Sequence, residues 1–409
     1  MKIRGFLVFI LLLLTLFVNA QEEKPANNPI DTSKEKDLMD VIKGVLNSKP
    51  KNDTTKKTST VTVLPAIGYN PSIGFLLGIN FLRSFRKGDP ATTSLSVAQL
   101  DVSVTSKKLL IARFRTNIFT ADNKWNFQGN WQYMRNYVND FGLGDEAQKN
   151  PPVNYPIRFN YFRFTEKAFR SLGNNFYAGG GLSIDLRNDI QDEKLDSVTT
   201  TPHYRYSTAN GFNPNTYFVN GLIANIQYNT KEHPNRPYKG MYIEANIRYN
   251  TKLIGSTEEA GQLYTEFRKY WSLSERNPEH VLAFWYWGSY LLWGKLPYLE
   301  LPSTSYDTYN RSGRGYTLGR FRGPDFVYWE TEYRFPISQV SKLFSGVVFT
   351  NFQSYSDASN NGLFKRIEPA VGAGLRILFT KASRTNICLD YARGKYGSSG
   401  FFFALNEAF

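Results

Sequence analysis

The chain reads as all-β, a transmembrane antiparallel β-barrel of about 16 strands preceded by a short N-terminal tail. Three observations predict this. Apolar and polar residues alternate at period 2 from position 61 to the end, the connections between the alternating runs are short and long by turns, and an N-terminal leader exports the chain. Aromatic residues make up 16% (31 Phe, 26 Tyr, 7 Trp), which suits a lipid-facing wall with interfacial rings.

In chain order, residues 1–20 carry Lys2 and Arg4, an apolar run over 6–18, and Val18-Asn19-Ala20 before Gln21. This is a secretory signal peptide, too short in its apolar run to span a membrane. No Cys follows the cut, which argues against a lipid anchor. Residues 21–60 form a polar periplasmic tail that cannot bury a core. Within it, Asp31-Thr32-Ser33 is a candidate cap for a short helix with Leu38, Val41, Ile42, Val45 and Leu46 on one face. Such a helix suits a plug in the barrel mouth, a place on the inner leaflet, a partner's groove or a weakly ordered tether.

Strands are expected near 62–70, 73–85, 91–104, 107–119, 125–138, 155–170, 174–186, 215–229, 240–250, 263–273, 281–293, 326–336, 343–354, 367–379, 384–393 and 400–409. In 125–134, Trp125, Phe127, Gly129, Trp131 and Tyr133 oppose Asn126, Gln128, Asn130 and Gln132. In 241–250, Met241, Ile243, Ala245, Ile247 and Tyr249 oppose Tyr242, Glu244, Asn246, Arg248 and Asn250. Arg113, Arg115 and Asn117 point inward on the fourth strand. Short connections on one side and long ones on the other (139–154, 187–214, 294–325) follow the rule of periplasmic turns and outer loops, and the even count leaves both termini periplasmic.

The mean hydropathy of -0.41 is no argument for solubility, because barrel strands are only half apolar. The formal charge of +14 suits anionic headgroups or a lumen, and export argues against nucleic acid. Cys388 alone excludes an internal disulfide and reads as a small wall residue. His203, His233 and His280 have no ligand spacing, so no metal and no cofactor are expected. Gly179-Gly180-Gly181 and Gly372-x-Gly374 read as close packing within strands and not as phosphate loops. No nucleophile elbow or zinc-protease motif is present, and the chain is expected not to be an enzyme.

Residues 313–336, GRGYTLGRFRGPDFVYWETEYRFP, join an Arg-Gly-Tyr loop tip to a strand in which Val327, Trp329, Thr331, Tyr333 and Phe335 alternate with Tyr328, Glu330, Glu332 and Arg334. This resembles the sixth extracellular loop and twelfth strand of the BamA/TamA (bacterial surface antigen) family of outer-membrane barrels. The turn NTKEHPNRPYKG (229–240), GAGLR (372–376) and CLDYARGK (388–395) resemble other segments of that family, in family order. About forty residues of tail are too few for one of its polypeptide-transport-associated (POTRA) domains.

The resemblance implies that loop 294–325 folds into the lumen and that Arg314, with Gly315 and Tyr316, is held by an inner-wall network of Glu330, Glu332, Arg334, Arg376 and Asp390. Where the family commonly has F-x-D-x-G on strand thirteen, this chain has Phe349-Thr350-Asn351-Phe352-Gln353, so Asn351 brings no charge and the ionic anchor is expected on strand twelve. Phe403, Leu405 and Phe409, expected to alternate outward, resemble the C-terminal assembly signal of barrels. Implied too are outer-membrane lipid and lipopolysaccharide contacts, and client outer-membrane proteins or a periplasmic partner meeting a seam between the first and last strands. A passive pore, receptor or scaffold is the alternative.

Overall fold

The computed structural model describes residues 36–45, 59–70, 74–195, 200–338, 341–381 and 383–409. The expected leader and the Asp31–Ser33 cap lie outside the described residues. Sixteen strands form one antiparallel sheet in sequence order. They are β1 (Ser59–Asn70), β2 (Gly74–Phe85), β3 (Ser96–Thr105), β4 (Leu110–Phe119), β5 (Trp125–Asp140), β6 (Tyr155–Gly173), β7 (Phe176–Asp192) and β8 (Tyr217–Asn229). The second half comprises β9 (Gly240–Asn250), β10 (Ala260–Ser272), β11 (Val281–Gly294), β12 (Phe326–Pro336), β13 (Phe344–Tyr355), β14 (Glu368–Thr380), β15 (Thr385–Gly394) and β16 (Ser399–Leu405). Among the described residues two α-helices accompany them, α1 (Leu38–Val45) and α2 (Pro202–Ala209), and no described helix is long and apolar enough to cross a membrane.

The wall is apolar outside and polar inside. On β2, Phe75, Leu77, Ile79 and Phe81 are exposed while Asn80 is buried. On β5, Trp125, Phe127, Trp131 and Tyr133 face outward and Asn126 and Gln132 inward. On these two strands period 2 has therefore put these rings on the outer side and these amides on the lumen side.

Most boundaries shift by at most about three residues, and three shift by more. β3 starts at Ser96 because Asp89 closes a turn first, its carbonyl accepting from Thr93 N at 2.8 Å and its carboxylate from Ala91 N at 2.8 Å. β7 runs on to Asp192, pairing with the extended β6. β16 stops at Leu405, because Asn406 takes φ +69, the left-handed region that Asn tolerates better than most residues.

At the long-loop end, connections 141–154, 295–325 and 356–367 pack into one cap with residues 200–216. Tyr298 donates to Asp140 at 2.9 Å, Tyr206 to Leu296 O at 3.1 Å, and Arg366 to Asp145 at 2.7 Å. At the short-turn end, connection 230–239 reaches across to β13 and the β14–β15 turn. Arg236 bonds Ser345 Oγ at 3.2 Å, Asn235 donates to Ser383 O at 3.0 Å, and Arg384 pairs with Glu232 at 2.7 Å. His233 Nδ1 accepts from the backbone N of Asn235 and of Arg236, both at 3.2 Å. Burial, then Arg384, Lys231 and Arg236, push its imidazole down to about 4, the neutral form that these bonds need.

Candidate functional site

The edges of the sheet, β1 and β16, approach within 8 Å, yet among the described residues no ladder joins them. β1 has 12 residues and β16 has 7, so their unpaired groups are mismatched in length. Pro65 in β1 removes one further donor.

Beside this seam the sixth long connection, residues 295–325, descends into the lumen. Gly315 takes φ +102, and a Cβ there would lie 2.8 Å from Ala370 Cβ, so the tip passes the wall as only glycine can. Arg314, 4% exposed, donates Nη1 to Asp390 at 2.7 Å and Nη2 to both Glu330 and Glu332. Its guanidinium lies 3.6 Å from the centre of the Phe349 ring, so a face is held as well as the edges. Tyr316 donates to Pro369 O at 2.6 Å and accepts from Lys395 N at 3.0 Å, fixing the next residue of the tip to β14 and β15.

The network continues outward. Arg334 Nε donates to Glu332 at 2.7 Å, and Arg376 Nη1 to Asp390 at 2.5 Å. Arg376 Nε then reaches Glu407 at 2.8 Å, which also accepts from Asn386 at 2.7 Å. The expected residues Arg314, Gly315, Tyr316, Glu330, Glu332, Arg334, Arg376 and Asp390 thus converge. Asp390 on β15 holds Arg314 directly, so the ionic hold is shared between β12 and β15 and does not rest on β12 alone.

Asn351 also joins, in a way its charge does not reveal. Its Nδ2 donates to the carbonyl of Arg314 at 2.9 Å, a bond that an ionised Asp has no hydrogen to make. Gln353, the other departure from F-x-D-x-G, accepts from Thr304 Oγ1 at 2.8 Å. Both replacements grip the loop. The Gly-x-Gly of β14 makes the space: a Cβ on Gly372 would lie 2.3 Å from the Phe349 ring, and one on Gly374 1.8 Å from Asp390 Oδ1.

The C-terminal residues correct an expectation. Phe403 is exposed on the outer face and Leu405 half-buried, but Phe409 is 5% exposed and lies inside the barrel. After the turn at Asn406 its ring stacks 5.2 Å from that of Trp285, and its carbonyl accepts from Arg334 at 3.0 Å. Arg311 of the sixth connection holds the carbonyls of Leu405, at 2.7 Å, and Glu407. Alternation alone could not show this, since one left-handed residue reverses the faces that follow; Asn406, placed just after the apolar run, was the available signal.

A family model described as the Omp85 superfamily domain matches residues 74–409. Among solved structures the chain is similar to BamA from Haemophilus ducreyi lacking POTRA domains 1-3, with TM-score 0.57 and 14% identity over 85% of this chain and 70% of that one. CdiB from Escherichia coli gives TM-score 0.56 at 7% identity, covering 86% of this chain and 63% of that one. CdiB from Acinetobacter baumannii gives 0.50 at 10%, covering 86% and 60%. No curated protein matches. With a sixteen-stranded sheet, an Arg-Gly-Tyr tip bound to acids of the inner wall and a family match over most of its length, the chain belongs to the Omp85 superfamily of outer-membrane barrels.

Proposed function

We propose that this barrel contributes to the insertion, assembly or translocation of outer-membrane polypeptides by offering the edges of β1 and β16 to a client strand. The observation that carries the reading is the seam: two neighbouring edges with no ladder between them among the described residues, one shortened by the turn at Asn406. Unpaired N–H and C=O groups template an extended segment by β-augmentation. The reading sets the barrel in a Gram-negative outer membrane after export of the leader, with the short-turn end and both termini in the periplasm and lipopolysaccharide at the long-loop end. It assigns no enzymatic activity. The alternative is a passive pore, receptor or scaffold, of which the pore is disfavoured by a lumen occupied by the sixth connection and the C-terminal residues.

The test locks the seam. Val63→Cys with Phe403→Cys, both on the outer face, in a Cys388→Ser background, is reconstituted in proteoliposomes with an unfolded client barrel. Oxidation is expected to abolish client insertion while the heat-dependent gel shift of the folded barrel persists, and reduction to restore insertion. Equal insertion by the locked and reduced forms rejects the seam mechanism, and ion conductance surviving the lock would favour the pore.

A further inference from the structure

Helix α1 is docked on the barrel in the opposite sense from a helix that packs in water. Asp37 and Asp40 face the protein: Asp37 is 5% exposed and accepts from Lys381 N at 2.9 Å, and Asp40 accepts from Lys381 Nζ at 2.8 Å. Lys36 N donates to Ser341 O at 2.9 Å, so the helix start is fastened to the β12–β13 and β14–β15 turns. Asp37 also caps the helix, accepting from Asp40 N at 2.8 Å. Two of its apolar residues are left exposed, while Leu38 and Met39 are half-buried. Val41 and Ile42 are 38% and 39% exposed, and at about 3.6 residues per turn Ile42 lies opposite the two acids.

A helix that spends its acids on the protein and shows its apolar side outward is stable where the surroundings are themselves apolar. The turn it is fastened to supplies them. Ile337 and Phe344, which flank that turn, are exposed at the end of the lipid-facing wall, so the outward side of α1 continues an apolar belt. We propose that α1 is an in-plane anchor whose Val41 and Ile42 insert into the phospholipid leaflet at the short-turn end, and that it is not a plug of the barrel mouth. Lys36, exposed at the helix start, is placed to meet the lipid phosphates. The inference rests on the barrel being embedded in a membrane.

The test uses the full chain with Cys388→Ser, carrying single cysteines at Lys36, Val41, Ile42 or Val348, each labelled with an environment-sensitive fluorophore. The proteins are reconstituted in phosphatidylethanolamine–phosphatidylglycerol vesicles open to both sides. Quenching by doxyl-labelled lipid is compared with quenching by aqueous iodide. Probes at 41 and 42 are expected to be blue-shifted and quenched by the doxyl lipid, whereas the probe at 36 is quenched by iodide. Iodide quenching at both 41 and 42, or shielding of both from either quencher, overturns the anchor. Val348 lies on the outer face of β13 and separates the two failures: doxyl quenching there with none at 41 and 42 rejects the anchor alone, and none at 348 rejects the embedded barrel.

Discussion

On β12–β16 the inward side chains form a closed ionic network around Arg314, whereas on β3–β10 they line a cavity of about 370 Å³ with ion pairs that stand apart. The residue types are the same on both sides. Arg115 meets Asp101 at 3.1 Å with both side chains partly wet, and Lys167 meets Glu244 at 3.0 Å across the wall. Glu330 and Glu332 are fully buried, and each shares its arginine with a second acid. What separates Asp101 from Arg314 is access to water, for Asp185 of β7, between Arg163 and Arg248, is as buried as Glu332. Water replaces a lost partner at Asp101 and cannot at Arg314, so the same kind of substitution carries different costs.

The sharpest way to break this comparison is Arg314→Ala. It strands Glu330, while Glu332 keeps Arg334 and Asp390 keeps Arg376, and is expected to destabilise by about 3–5 kcal/mol, the usual cost of breaking a buried pair from one side. The readouts are protease cleavage within 295–325 and a lower temperature for the heat-dependent gel shift. Arg314→Lys is expected to recover only part, because an ammonium lacks the fork that reaches two walls. Gly374→Ala perturbs the same half without touching a charge. Its Cβ would collide with Asp390, and overpacking of this kind costs roughly 1–3 kcal/mol. A gel-shift temperature equal to wild type would show that the Asp390–Arg376 pair has room to move. Asp101→Asn at the wet pair is expected to cost less than about 1 kcal/mol, as exposed pairs do. If it matches Arg314→Ala in the same assay, the two sites are not different.

Strand order and most boundaries were legible because a wall with lipid on one face and water on the other imposes period 2 on every stave. That Arg314 meets acids of the inner wall was implied by the family resemblance, and period 2 put Glu330 and Glu332 on that wall. Asp390 as a direct ligand was not legible, since which of several inward acids a loop tip reaches depends on how far it descends. Asn351 read as a lost charge because spacing says nothing of hydrogen-bond direction. The Asn406 turn and the docking of α1 are tertiary choices, one a single backbone angle and the other a contact across more than 300 positions, between Asp40 and Lys381.

The chain positions of the Arg314 partners also carry a message about time. Glu330 and Glu332 lie 16 and 18 residues away, but Asp390 lies 76 away on the penultimate strand, and Glu407 comes after the last. Such separations make a contact late in folding, because most of the chain must be in register before it closes. The loop therefore cannot reach its final grip until β15 has joined the sheet, nor the grip its full extent until the residues beyond β16 have turned inward. The network is a mark of a finished C-terminal half, a bond set that forms only once β12 to β15 and the residues beyond β16 are in place.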